Sequence, residues 1–336
     1  MNIFRRQMLA LLLKGNLLLA ALAGVAYCGV ALAQPATYPS RPITIVVPHA
    51  AGGPVDSVGR LFARKLSELL KTPVTVENRA GASGNIGAAY VAAAQPDGYT
   101  LYINASIHAI NPLLYKERMK FDSVKDFTAI SLLATGELVF CASTESSIST
   151  VQEFIDKAKA TPEKISIANT GSGSAGHIAT EQFLHDAKLR DILLVLYKGT
   201  APSLQAVAGG QVTAVIAPTL SAVPLIKGGK MRALAVTSRN RSPLLPDTPT
   251  MDEVGLKDFE FYTWYGFWGP ANLPAPVLKT LNDAAATIMA MPDVKSTLVA
   301  AGFQPTYKGP DDFRKFIAED MARNRKVIEA AKISVD

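Results

Sequence analysis

Four stretches of the 336-residue chain carry the residue types that hold an anion without a dedicated cation. Residues 50–56, 81–87, 169–176 and 199–202 are rich in Gly, Ser, Thr and Ala, and each lies between a short apolar run and a helix-like one. Glycine lets a ligand approach the backbone closely. A helix beginning there presents unpaired N–H groups and the positive end of its dipole. Together these features suit a carboxylate. Three or four charge-assisted hydrogen bonds at about 1.5–3 kcal/mol each compare with the roughly 8 kcal/mol of a micromolar complex. An arginine clamp is therefore not required, although desolvation and ordering reduce the sum. One such loop is usually a tight turn; several at once point to a site.

Competing chemistries leave weaker traces. Gly171, Gly173 and Gly176 match G-x-G-x-x-G between a strand-like and a helix-like run, the dinucleotide fingerprint. That motif needs an acid after the following strand to hold ribose hydroxyls. Here that strand ends in Tyr197-Lys198, and Asp191 stands at its other end. Nucleophilic catalysis needs Ser or Cys beside a base, yet no G-x-S-x-G elbow occurs and Cys141 sits in an apolar run. His49, His108, His177 and His185 lack metal-ligand spacing. No metal and no cofactor are expected. His177 and His185 fall on a helix and read as structural. His49 and His108 follow strands at the presumed mouth, as candidate ligand contacts. Seven aromatics between residues 259 and 268 read as a strand packed on both faces. Arg79 reads as the partner of a local carboxylate.

Elements must place these loops. Apolar, β-branched runs at 43–47, 74–77, 100–104, 130–133, 138–142, 165–168, 192–196, 214–217 and 233–237 predict strands. Helices are predicted over 55–70, to Ala94, over 151–160, to Ala187 and to Val207. The tail from Pro276 to Ala331 is predicted helical, broken at Pro292 and near Pro310. This alternation predicts an α/β fold whose sheets are covered on both faces. Ligands in such folds sit at the carboxyl ends of strands, where the four loops lie.

Composition narrows the class. Apolar residues make up 49% and charged residues 18%, which excludes a disordered chain. The net charge of +6 is modest, and Arg5, Arg6 and Lys14 account for half of it. No dense basic run exists, so no nucleic-acid partner is expected. Residues 1–33 read as a signal peptide: Arg5-Arg6, an apolar stretch, and Ala31-Leu32-Ala33 as a cleavage site before Gln34. Arg5-Arg6 leaves Sec and twin-arginine export both open. Tyr27 before Cys28 does not fit a lipobox, and loss of Cys28 with the leader leaves one thiol and no disulfide. Export to the periplasm, with cleavage after Ala33, is the expectation.

Several segments in order resemble the Bug-type substrate-binding proteins of tripartite tricarboxylate transporters. They are Tyr38-Pro39-Ser40-Arg41-Pro42-Ile43, Val46-Val47-Pro48, Gly52-Gly53-Pro54-Val55-Asp56, residues 76–87, Pro96-Asp97-Gly98-Tyr99-Thr100 and His108-Ala109-Ile110-Asn111-Pro112. Tyr197-Lys198-Gly199, Gly209-Gly210-Gln211-Val212, residues 232–237 and Leu245-Pro246-Asp247-Thr248-Pro249-Thr250 continue the match. The resemblance implies a two-lobed periplasmic binding protein fold. Each lobe would be a mostly parallel sheet flanked by helices, with the ligand cleft between lobes. Lobe 1 would be residues 34–136 plus 260–336 and lobe 2 residues 137–259. Strands near 136–139 and 259–264 would form the hinge.

By position, the resemblance implies ligand contacts from His49, Ala50, Ala51, Gly52, Gly53 and Val55, then Ser106. The second lobe would add Ser172, Ser174, Ala175, Thr200, Ala201 and Ala217. Asp56 is expected to cap the helix that starts there. Two positions depart from the family. His49 stands where Phe is usual; a His can donate a hydrogen bond or, when charged, attract a second carboxylate. Ile216-Ala217-Pro218 stands where Phe-Asp-Asn is common, which removes a partner for a ligand amine. A di- or tricarboxylate or an aromatic acid is thus favoured over an amino acid. The implied function is a monomeric periplasmic receptor, not an enzyme, serving transporter membrane subunits or presenting its loaded form to a sensor kinase. The rival is an exported hydrolase or oxidoreductase using the same cleft.

Overall fold

The computed structural model describes residues 38–115, 117, 119–331 and 333, so the expected leader lies outside the described residues. The described residues from Arg41 onward form one compact unit. The first third runs β1 (Ile43–Val47), α1 (Pro54–Leu70), β2 (Val74–Asn78), α2 (Asn85–Ala92), β3 (Thr100–Ala105) and α3 (Ile107–Leu114). The middle runs β4 (Phe127–Ser143), α4 (Val151–Ala160), β5 (Ser166–Asn169), α5 (Ala175–Asp186), β6 (Leu193–Leu196), α6 (Thr200–Ala208), β7 (Ala214–Pro218), α7 (Thr219–Lys227) and β8 (Met231–Val236). The last part runs β9 (Tyr262–Pro270), α8 (Ala275–Ala290), α9 (Pro292–Ala300), β10 (Phe303–Lys308) and α10 (Pro310–Ala331).

Local sequence explains the first unit. β1 is ITIVV, with every residue but Thr44 buried, the pattern of a strand covered on both faces. α1 starts on Pro54, whose fixed φ suits a first helical position. Its buried Val55, Val58, Phe62 and Leu66 recur at three- and four-residue spacing. Burial of Phe62 and Leu66 contributes about 1.5–3 kcal/mol each. The helix stops where Lys71 turns left-handed (φ 52°), ahead of Pro73.

The strands order as β2-β1-β3-β9-β4-β7-β5-β6, with β10 and β8 also pairing β4. Two parallel triplets, β2-β1-β3 and β6-β5-β7, flank the antiparallel strands β9 and β4. The sheet is thus mixed. β4 serves both triplets: Gly136 and Glu137 still pair with β9, while Leu138 onward pairs with β7. At this crossing the Glu137 carboxylate accepts hydrogen bonds from Ser238 (2.9 Å) and Ser242.

Separate cores lie on either side of the crossing. One gathers Tyr102, Phe127, Trp264, Trp268 and Phe313. Another gathers Phe140, Phe154, Ile178 and Phe183. α10 contributes to both, through Phe313 in the first and through Val327 and Ile328 in the second. The aromatic segment enters β9 at Tyr262, and Trp264, Tyr265, Phe267 and Trp268 are all buried in it, as expected of a strand packed on both faces; Phe259 and Phe261 precede the strand and pack in the second core.

Two expectations are corrected and one helix is added. The runs 130–133 and 138–142 are one 17-residue strand, because Ala134 to Glu137 continue the ladder with β9 across a register shift. The helical tail contains a strand, β10, because Phe303 to Pro305 pair with β4. Residues 219–227, left unassigned, form α7 with Pro224 inside it.

Candidate functional site

The carboxyl ends of β1, β2 and β3 meet in one network. Asp56 lies in the first turn of α1, not at its cap, and its carboxylate accepts from the Gly52 N–H (2.8 Å), Arg60 Nε (2.8 Å) and Asn78 Nδ2 (2.9 Å). Burial pushes this carboxyl up, but these donors outweigh it and hold it below the usual carboxylate range. Asn78 also donates to the His49 carbonyl (3.1 Å), and Arg60 to Asn78 Oδ1 (2.9 Å). The loop from His49 to Gly53 is thereby pinned from behind, leaving Ala50, Ala51 and Gly52 exposed. His49 is half-buried, with Nε2 2.9 Å from Asn104 Oδ1. Burial lowers its pKa more than that bond raises it.

The next loop is conformationally costly. Gly81, Ala82, Ser83 and Gly84 all have positive φ, at 131°, 47°, 54° and 87°. For Ala82 and Ser83 this costs of order 1–3 kcal/mol each. Asn111 of α3 holds the turn by donating to the Ser83 carbonyl (3.0 Å) and to Asn85 Oδ1 (2.9 Å). Ser106, at the start of α3, is buried and has its Oγ 3.5 Å from Thr263 Oγ1 on β9.

The second triplet builds a matching end. Ser174 caps α5, its Oγ accepting from the His177 N–H (3.1 Å) and lying 2.9 Å from Thr170 Oγ1. His177 Nδ1 accepts the Gly173 N–H (3.1 Å), so its proton sits on Nε2, 3.6 Å from Glu181. The fingerprint glycines thus have local reasons. Gly171 (φ 129°) and Gly173 (φ 76°) turn left-handed, and a Cβ on Gly176 would lie 2.5 Å from the Ile216 carbonyl oxygen. A Cβ on Gly171 would lie 4.0 Å from the Gly199 nitrogen, which sets the loop before α5 beside the loop before α6.

Of the residues expected at the site, His49 to Gly53, Val55 and Ser106 gather at the first triplet's end. Ser172, Ser174, Ala175, Thr200, Ala201 and Ala217 gather at the second's. The ends touch where Ser83 Oγ donates to the Ser172 carbonyl (3.5 Å) and where Gly173 packs on Asn111 and Leu114. Not all side chains face that junction. Val55 and Ala217 are buried in their cores, so only their backbones are available; the Ser174 hydroxyl is occupied by its cap. His108, expected at the mouth, is a core residue. Its Nε2 lies 3.1 Å from the Ser123 carbonyl, and its ring packs on Tyr102, Phe127 and Trp268. Asn104 and Asn111 organise the loops and were not anticipated, while His177 is the structural helix histidine it was expected to be. Asn104, a polar residue closing the apolar run 101–103, carried the one readable signal. Arg79 pairs with Glu77 (2.7 Å) and stacks on Tyr90. A cavity of about 680 Å³ lies elsewhere, lined by Thr150, Arg232 and Pro249 among others, at the amino end of β8.

Residues 58–333 match the family model described as tripartite tricarboxylate transporter family receptor, TctC. BugT of Bordetella pertussis is 32% identical over 291 residues, covering 85% of this chain and 88% of that one. Among solved structures, Rpa4515 of R. palustris with adipate is 33% identical at a TM-score of 0.83, covering 88% of this chain and 99% of that one. MatC (Rpa3494) of Rhodopseudomonas palustris with bound malate is 30% identical at 0.79, covering 87% and 100%.

Proposed function

Because this chain belongs to the TctC family of tripartite tricarboxylate transporter receptors, which are periplasmic solute-binding proteins and not enzymes, we propose that it binds a small organic carboxylate and delivers it to the membrane subunits of such a transporter. One observation carries the reading: glycine-rich loops opening helices gather at the carboxyl ends of both parallel triplets and meet at Ser83 and Ser172. The loop amides of Ala50, Ala51 and Gly53 on one side, the Gly52 amide being spent on Asp56, with the helix starts at Ala175 and Thr200 on the other, provide the donors a carboxylate needs. Adipate in one neighbour and malate in another support that ligand class.

In this reading residues 34–136 with 260–336 form one lobe and residues 137–259 the other. The ligand favours the closed arrangement because only there does it touch both lobes. The transporter reads that closed surface. The leader is removed after Ala33. A di- or tricarboxylate or an aromatic acid is favoured over an amino acid, since Ala217 stands where an acid would meet the amine. Mass spectrometry of ligand released from the purified receptor, followed by titration calorimetry, tests the reading. One carboxylate is expected to bind at micromolar affinity or tighter and to be recovered unchanged. Failure of every carboxylate tried, or release of an uncharged ligand, would overturn it.

A further inference from the structure

Resting on the carboxylate-receptor reading, we propose that His49 reads a hydroxyl group on the ligand, so that the receptor takes hydroxy acids in preference to their deoxy counterparts. The argument runs through Asn104. The Ala105 N–H donates to Asn104 Oδ1 (2.7 Å), and Asn104 Nδ2 donates to the Tyr102 hydroxyl (2.7 Å). A backbone N–H can only donate, so this amide has one orientation. Its Oδ1 also faces His49 Nε2 at 2.9 Å. An amide oxygen can only accept, so Nε2 carries the proton. Burial of the ring disfavours a second proton. Nδ1 is therefore left as a bare lone pair. Among the described residues nothing hydrogen-bonds it, and it is not one of the buried unpaired atoms, so it is open to solvent.

Of the two roles the sequence left open for His49, donation is spent on Asn104, and a second carboxylate beside a lone pair is repelled. A methylene there leaves the acceptor unpaired once water is excluded. A hydroxyl donates to it. An ammonium also donates but needs an anion nearby, and the adjacent Asp56 carboxylate is spent on Gly52, Arg60 and Asn78. A site that pairs a ligand hydroxyl discriminates against the analogue without one.

Calorimetry on matched pairs tests this: malate against succinate, citrate against tricarballylate, with aspartate alongside. In the unmodified receptor the hydroxy member of a bound pair is expected to bind on the order of tenfold tighter. His49→Phe should abolish that preference, so that the two members of each pair bind alike whatever their common affinity. Long-range ¹⁵N correlation spectra of the unmodified receptor should show His49 protonated on Nε2 alone, a readout that needs no variant to fold. Equal binding within the pairs, tighter aspartate, a preference that survives His49→Phe, or a proton on Nδ1 would each overturn the inference while leaving carboxylate binding intact. Binding of none of these acids, or of any other carboxylate, would overturn both readings.

Discussion

His49 and His108 both follow strands in the sequence, yet one faces a loop and the other the core. The difference is local. Pro48 and the glycines after His49 keep the chain irregular, whereas Ser106 takes helical angles and His108 falls in the first turn of α3. Its imidazole then turns into Tyr102, Phe127 and Trp268, with only the Ser123 carbonyl to bond. Burial pushes its pKa down to about 4 from 6.5, and the Ser123 contact offsets little of that. The unfolded imidazole takes up a proton below about 6.5, and the folded one does not until about 4. The folded state binds fewer protons in that window, so stability is full above it and falls as pH drops through it. The loss should approach about 3 kcal/mol at pH 4. Denaturant unfolding at pH 7 and pH 4.5 should show a smaller loss for a His108→Gln variant than for the unmodified chain. An equal loss would remove His108 as the cause.

Element by element, the strand–loop–helix rhythm was legible because each strand of the two parallel triplets is a short apolar run ending in a turn residue. The misses share a cause: tertiary pairing decided them. Nothing local in residues 134–137 says that β4 continues, since Thr135, Gly136 and Glu137 are extended by pairing with β9. Gln304 and Pro305 carry little strand propensity, and β10 exists because β4 has an edge to offer. At the site, the glycines and helix starts could be read from the sequence, but the bonds tying His49 to Asn104 and Gly173 to His177 could not. The first joins residues 55 apart, whose nearness only the fold supplies; the second is local, four residues apart, but depends on where α5 starts. Close packing at the start of α5 makes one substitution decisive. Gly176→Ala would set a methyl 2.5 Å from the Ile216 oxygen and 2.6 Å from Thr170 Oγ1. Displacing α5 from β7 should cost about 1–3 kcal/mol, read as a lower denaturation midpoint with an unchanged slope. A midpoint within error of the unmodified chain would show that the helix has room to move.

For the whole molecule, β4, α3 and α10 each contribute residues to both cores, so any movement of one half against the other would have to be absorbed along them. Small-angle scattering with and without a bound carboxylate should show a smaller radius of gyration in the loaded form. An unchanged radius would mean that binding needs no rearrangement of the halves. The position of β9 has a consequence beyond binding. It lies between β3 and β4, but it is made about 120 residues after β4 ends. During translation two strand edges therefore stand bare, ready to pair with other chains, until the ribosome has released residue 270. Such distant pairing is slow to form. A polypeptide built this way gains from being kept unfolded by a chaperone and threaded across a membrane only after synthesis is complete.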